Sequence, residues 1–451
     1  MSTSGPKITR RALFSGAIGA GVLLTGFRAI KTLVSDTLGP EHRFVACYFN
    51  GAWDVLLGAD ARDPAGSYPG IDLGTQFLAP QYQTPINLSV GGSETLWGAP
   101  MAALVPHADV ATVFRGINMN TVAHPTGRAY VNTYLPPAGV VARGSSLSTV
   151  VSSIGDLPHD RIMPNVSIGV PSFNTEYAPE FTAVPLQVAP EILGLLRPGS
   201  ELLPGDVETL LLAAQDDIES CVSGKYPGPH PIAQLRDARE RVRQLLAEDV
   251  GQHFDLGADT PDMIALRARY GFTATTPRTN PRDPGVVAAV TAQLLKTGLA
   301  RSITCQLQQQ LDTHGNNWAT VQPTRLQDGF EALAALIDDL RQDDPDMAHT
   351  TVVAYSEFAR TPKLNGQTGR DHWFANSVLV FGGVLRSGVC GASRQDNLGL
   401  QNIDPVTGLP DESGMMLKPE HIGATLVKAL GGDPSPFRVS PLDAWIAGGA
   451  S

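Results

Sequence analysis

Four apolar runs in this chain break, each at its end, into a cluster of polar, charged or imidazole side chains. They are Phe44 to Phe49, Val110 to Arg115, Ser302 to Leu307 and Thr351 to Tyr355. Their aromatic and β-branched content reads as strand. Amphipathic helical patterns at 284–299 and 326–341 precede the last two runs, and further strands are expected at 163–169 and 376–381. Helix alternating with strand predicts a parallel α/β sheet, with its helices on both faces. In such a sheet the carboxyl ends of the strands share one edge, where α/β proteins collect ligands. The pattern therefore predicts an α/β fold with a mostly parallel sheet sandwiched by helices, and one site assembled from several strand ends.

The polar clusters supply the candidates. The first strand runs into Asn50-Gly51-Ala52-Trp53-Asp54, where Asp54 is either a metal-binding carboxylate or a turn and cap residue. The second is followed by Thr121, His124, Thr126 and Arg128 before a helical pattern at 128–134. A helix start binds anions and activates a nucleophile, so these four are candidates for nucleophile, ligand and anion clamp. After the third come Asp312 and His314, two apart, which extended chain turns to the same side. After the fourth come Ser356, Glu357, Arg360 and Lys363, then a Gly/Asn-rich turn closing on Asp371-His372-Trp373.

Elsewhere the sequence is less specific. Residues 60–98 and 389–416 read as loop. Residues 171–285 begin with proline-rich loop and continue as helical patterns at 205–222, 230–249 and 260–270, which suggests a helical insertion or cap. A last helix is expected at 419–430, stopped by Gly431-Gly432. The net charge of −11 argues against nucleic acid as the main partner, but leaves room for an anionic substrate if a local cation reverses the field. The four cysteines have no metal-type spacing. Cys47 and Cys305 sit in apolar runs and read as buried thiols, whereas Cys221 and Cys390 stand in polar surroundings that allow a disulfide.

Near the start, Thr9-Arg10-Arg11-Ala12-Leu13-Phe14 precedes a Gly/Ala-rich, mildly apolar stretch. It resembles a twin-arginine export signal, a route that carries folded proteins, often with metal loaded. The apolar run is short for a membrane span, so the segment is either removed or kept as an anchor. Residues 1–40 are set apart on this ground from a single domain over 41–451.

Phe49 to Asp54 (FNGAWD), Asp312-Thr313-His314, Ser356 to Lys363 (SEFARTPK) and Gly369 to Trp373 (GRDHW) resemble the exported family known as domain of unknown function 1501, over most of residues 43–440. That family is placed near the alkaline phosphatase and sulfatase superfamily. The resemblance implies an alkaline-phosphatase-like fold and a metal-dependent hydrolase of phosphate or sulfate esters, exported to the periplasm or secreted. It implies a divalent metal, Zn, Mn, Ca or Mg, held by Asp54, Asp312, His314, Glu357, Asp371 and His372. Asp371 would either ligate or orient His372. Thr121 or Thr126 would be the nucleophile, and Arg128, Arg360 or Lys363 the anion clamp. The implied partners are a small anionic ester or surface polymer and the twin-arginine translocase. Phe358 departs from the pattern, standing where the superfamily carries a ligand histidine. A relative that keeps the fold and binds without cleaving is the alternative. Neither a spaced acid pair nor a nucleophile elbow points to glycoside or peptide hydrolysis.

Overall fold

The computed structural model describes residues 42–155, 163–196, 205–225 and 249–448. The segment bearing the twin arginines and most of the helix expected at 230–249 lie outside them. At its centre is an eight-stranded sheet. Its strands in chain order are β1 (Arg43–Phe49), β2 (Ala111–Asn118), β3 (Asn165–Ile168), β4 (Val184–Leu186), β5 (Ser302–Gln308), β6 (Thr350–Tyr355), β7 (Ala375–Phe381) and β8 (Gly388–Cys390). Across the sheet they lie in the order β8-β2-β7-β6-β1-β5-β3-β4. β1 pairs in parallel with both β5 and β6, and β3 continues the parallel run to β4. β7 alone runs against its neighbours β6 and β2.

The central strands are buried on both sides, which is why they read as unbroken apolar runs. Along β1, Val45, Cys47 and Phe49 enter one core, while Phe44, Ala46 and Tyr48 enter the other. The alternation continues in β6, where Val352 and Ala354 face the first core and Val353 and Tyr355 the second. The first core is covered by the helices at Pro261–Tyr270, Pro284–Lys296 and Trp318–Arg341, the second by those at His124–Thr133, Leu147–Ser152 and Pro419–Ala429. The chain is therefore an α/β sandwich with a mostly parallel sheet, as its pattern predicts.

Four expectations change. The stretch 60–98 contains a β-hairpin, Ile86–Val90 paired with Ser93–Trp97, besides its loops. Residues 388–390 form the sheet's edge strand β8, where a loop is expected. The region 171–285 is not set apart as a cap along its whole length. Its first part supplies β4, and Val250, Phe254, Leu256, Met263 and Tyr270 join the first core. Finally, no disulfide joins Cys221 to Cys390: all four cysteines are free thiols, Cys221 exposed and Cys390 buried. Cys47 and Cys305 are buried as expected, side by side in register on β1 and β5.

Candidate metal centre

The chain segments after β1, β2, β5 and β6 meet at the carboxyl edge of the sheet. The turn after β1 is held by close backbone approach. Gly51 adopts φ 111°, and a Cβ there would come within 2.7 Å of the backbone of Leu311 and Asp312. The left-handed conformation and the lack of room both require glycine. Its N–H donates to Glu357 Oε1 over 3.0 Å, tying the ends of β1 and β6 together.

The functional atoms converge on one carboxylate oxygen. Asp312 Oδ1 lies 3.3 Å from His124 Nε2, 3.0 Å from His314 Nε2 and 3.3 Å from His372 Nε2. His314 and His372 bring their Nε2 atoms to 2.9 Å of each other. The ligand atoms of His124, Asp312 and His372 all lie within 4.8 Å of one another. Four donors bonded to one zinc-like ion at 2.0–2.1 Å stand about 3.3 Å apart. Each imidazole Nε2 stands at close to that separation from Asp312 Oδ1, while the set of His124, Asp312 and His372 as a whole spans up to 4.8 Å.

The other nitrogen of each ring fixes its tautomer. His124 Nδ1 is 2.7 Å from Glu357 Oε1, His314 Nδ1 is 2.7 Å from Asp371 Oδ1, and His372 Nδ1 is 2.7 Å from the Val122 carbonyl. A carboxylate and a carbonyl only accept, so each Nδ1 carries the proton and donates. Each neutral ring then turns an Nε2 lone pair toward Asp312. Three lone pairs and a carboxylate oxygen facing one another repel; Arg360, whose Nη2 donates to the same Oδ1 over 2.7 Å and whose Nη1 lies 3.5 Å from His314 Nε2, offsets part of this, and an extra proton or a cation among the rings would offset the rest. His124 Nε2 is buried and has no hydrogen-bond partner.

The electrostatics point the same way. Burial pulls the His124 ring toward its neutral form, but the hydrogen bond and charge of Glu357, with Asp312, outweigh it and raise its pKa. That negative field also favours a metal cation. Burial lowers the pKa of His372 against the opposing hydrogen bonds of Val122 and Asp312. Desolvation would raise the Asp312 carboxyl, yet the Arg360 guanidinium holds it well below the usual carboxylate range. Glu357 is buried, which opposes its charge, but its hydrogen bond with His124 keeps it ionised. It also accepts from Ser356 Oγ over 2.9 Å.

The expected site residues separate into groups. Asp312, His314 and His372 come together, joined by His124. Glu357 and Asp371 do not reach the centre; each holds the Nδ1 of a ring, a role that orients a ligand and raises its basicity. Asp371 serves His314 in this way, not His372. Asp54 is absent from the cluster. Its Oδ2 is taken by Arg370 Nε at 2.9 Å and Trp318 Nε1 at 2.8 Å, and its Oδ1 by the Leu56 N–H, so it is a buried structural anion. Arg360 is no free anion clamp. Its guanidinium donates to the carbonyls of Ala52, Arg370, Gly51 and Leu311 and to Asp312 Oδ1, and it is fully buried. It positions Asp312 instead. Thr121 Oγ1 accepts the N–H of Ala123, Thr126 lies in the first turn of the 124–133 helix, and Arg128 is exposed, its Nε 3.4 Å from the His124 carbonyl. Lys363 is exposed on the loop beyond Arg360. Phe358 packs its ring 4.8 Å from that of His124 and 4.6 Å from that of His372, an apolar wall where the resemblance implies a further ligand.

Two participants were not foreseen: the Val122 carbonyl, because a backbone acceptor leaves no mark in side-chain types, and Arg370. The Gly-Arg-Asp-His-Trp run did carry a signal for Arg370, since a lone arginine beside an acidic residue demands a partner when buried.

The chain is thus an α/β protein with an imidazole-rich cluster at the carboxyl edge of its sheet. It belongs to the family described as Protein of unknown function (DUF1501), whose model matches residues 75–437. No curated protein matches it.

Proposed function

We propose that the chain is an exported metal-dependent hydrolase of phosphate or sulfate esters, on an alkaline-phosphatase-like fold. The observation that carries the metal is the set of His124, His314 and His372, each bound through Nδ1 to an acceptor and each turning Nε2 onto Asp312. Three imidazoles and one carboxylate suit zinc or manganese; calcium and magnesium prefer oxygen ligands. The side chains of Asp312 and His314 are 48% and 44% exposed, so the centre is open to a substrate. A bound divalent ion would polarise an ester oxygen as a Lewis acid. The protein's part is orientation: Glu357, Asp371 and Val122 fix the rings, and Arg360 fixes Asp312. Ester hydrolysis and relation to the phosphatase superfamily rest on the sequence resemblance, as does export on the twin arginines.

A second reading is an exported binding or scaffold protein that keeps the centre without turnover. Phe358 and the fully engaged Arg360 favour it, because neither a further ligand nor a free buried cation stands beside the cluster among the described residues. Elemental analysis of protein purified with zinc and manganese supplied, together with assays on aryl phosphate and aryl sulfate, tests both readings. Near-stoichiometric metal with turnover lost in Asp312→Ala supports the hydrolase. Metal without turnover supports the binder. Protein that stays metal-free sinks both.

A further inference from the structure

The ribbon that carries His372 has a second face. His372 and Trp373 form a two-residue strand paired with Arg360 and Ala359. Successive side chains in extended chain point to opposite sides, so Trp373 faces away from the cluster that His372 enters. On that far side lies an open cleft of about 680 Å³. Trp373 and Phe374 contribute an aromatic wall, their rings stacked with centroids 4.5 Å apart. Trp373 is fixed by its Nε1–H, which donates to the Leu398 carbonyl over 2.9 Å. The polar lining comprises Lys363, Arg394, Asn397 and Asp371, with Thr361 and Asn365.

The hydrogen bonding of this lining is lopsided. Several acceptors are spent: Asp371 Oδ1 on His314 and Asn365, and Asn397 Oδ1 on the Gly399 N–H. Of the donors, Asn365 Nδ2, the Thr361 hydroxyl and Trp373 Nε1–H are used within the protein, and three others are unspent. Among the described residues the Lys363 ammonium, the Arg394 guanidinium and the Asn397 amide nitrogen make no hydrogen bond or ion pair within the protein. A cleft with free donors, two positive charges against one negative, and an aromatic wall suits a ligand rich in acceptors, anionic, and apolar on one ring face. An acidic sugar has those properties: its C–H face lies on an aromatic ring and its sulfate or carboxylate meets the cations. On a chain of net charge −11, such a ligand is repelled elsewhere and concentrated here.

We propose that this cleft is a binding subsite for an anionic saccharide unit, next to the metal centre and joined to it through Asp371. It rests on the hydrolase reading only in making the cleft a neighbour of the reaction; the binding itself does not need the metal.

Titration calorimetry on the full chain tests this with three probes: a sulfated heparin-derived hexasaccharide, a galacturonate hexamer and neutral cellohexaose. Either or both of the anionic probes should bind at least tenfold more tightly than the neutral one, and the two distinguish sulfate from carboxylate. The double variant Lys363→Ala/Arg394→Ala, both exposed and safe for folding, should weaken that binding about tenfold or more. Trp373→Phe, which keeps a ring but loses the anchoring N–H and ring area, should weaken it too. Binding should persist with a chelator present. Loss of binding on chelation would place the saccharide on the metal and overturn the subsite, as would equal affinity for cellohexaose or indifference to the double variant. Protein that binds no metal yet keeps saccharide affinity would sink the hydrolase reading and leave the subsite standing.

Discussion

Among the described residues His124 is the cationic side chain that touches the buried Glu357, whose charge is balanced by that ring, the Gly51 N–H and Ser356. This arrangement makes its role specific. In Glu357→Gln the carbonamide can still occupy the space but cannot favour the Nδ1–H tautomer as strongly. Metal affinity should fall about 10–100-fold, read by competition with a chelating dye, while the folded fraction is unchanged. Asp54 predicts the opposite outcome. Removing it leaves the buried Arg370 with the carbonyls of Thr361, Pro362 and Asp72 but no carboxylate, so Asp54→Ala should cost about 3–5 kcal/mol in denaturant unfolding. The metal content of whatever folds should stay at the wild-type level. If Asp54→Ala instead strips the metal at full stability, the buried pair has been misjudged. At this scale the sequence showed residue types but not partners. Asp54 and Asp312 each follow a strand, and only their neighbours, Arg370 and Trp318 for one and three imidazoles for the other, distinguish their roles.

The helix at His124–Thr133 sets His124 against Glu357 by packing closely on the end of β6. A Cβ added at Gly127 would meet the Glu357 carbonyl at 2.9 Å and Glu357 Cβ at 3.0 Å. Gly127→Ala should therefore push the first turn outward and lengthen the contact between His124 and Glu357. Weaker metal binding at nearly unchanged helical circular dichroism is the expected result, and unchanged metal affinity would show that the turn yields elsewhere. The elements themselves were readable where pattern was strong. The strands β1, β5, β6 and β7 fall within a residue or so of their expected runs, because burial on both faces leaves a continuous apolar signature. Short edge strands such as β8, at three residues, carry too little pattern to be seen. The helix Trp318–Arg341 begins eight residues before its expected start at 326, running through Pro323 within its second turn, which a sequence rule takes as a break.

Across the whole molecule, stability should depend on acid through two histidines outside the cluster, His421 buried and His42 partly buried. Burial, aided by Arg301, lowers His42 to about 4, and burial lowers His421 to about 4, where its Nδ1 accepts the Lys418 N–H. The unfolded chain holds these rings near the ordinary 6.5, so between about 6.5 and 4 the unfolded state binds more protons. Stability then rises with pH in that window and is lost as pH falls through it. The expected loss is on the order of a few kcal/mol in total, read as a falling urea midpoint from pH 7 to 4.5 and reduced in His421→Gln. Ion binding to the native state alone should add to stability as well. Metal at a hundred times its dissociation constant contributes about 2.7 kcal/mol, so a chelator should lower the melting temperature, and it should not do so in His314→Ala.

Local pattern alone determined the class of this protein. Runs of apolar residues with helix between them specify a parallel sheet, and the polar residues at their ends mark the edge where a site belongs. These are properties of neighbours in the chain, so they are written in order along it. Which of those residues come together in one cluster was decided by tertiary structure. His124, Asp312, His314 and His372 come from three separate segments, and the distances that unite them depend on the close approach at Gly51 and Gly127 and on the partners that claim Asp54 and Arg360. Coordination and hydrogen bonding act over about 3 Å, and the chain order holds no record of distances on that scale.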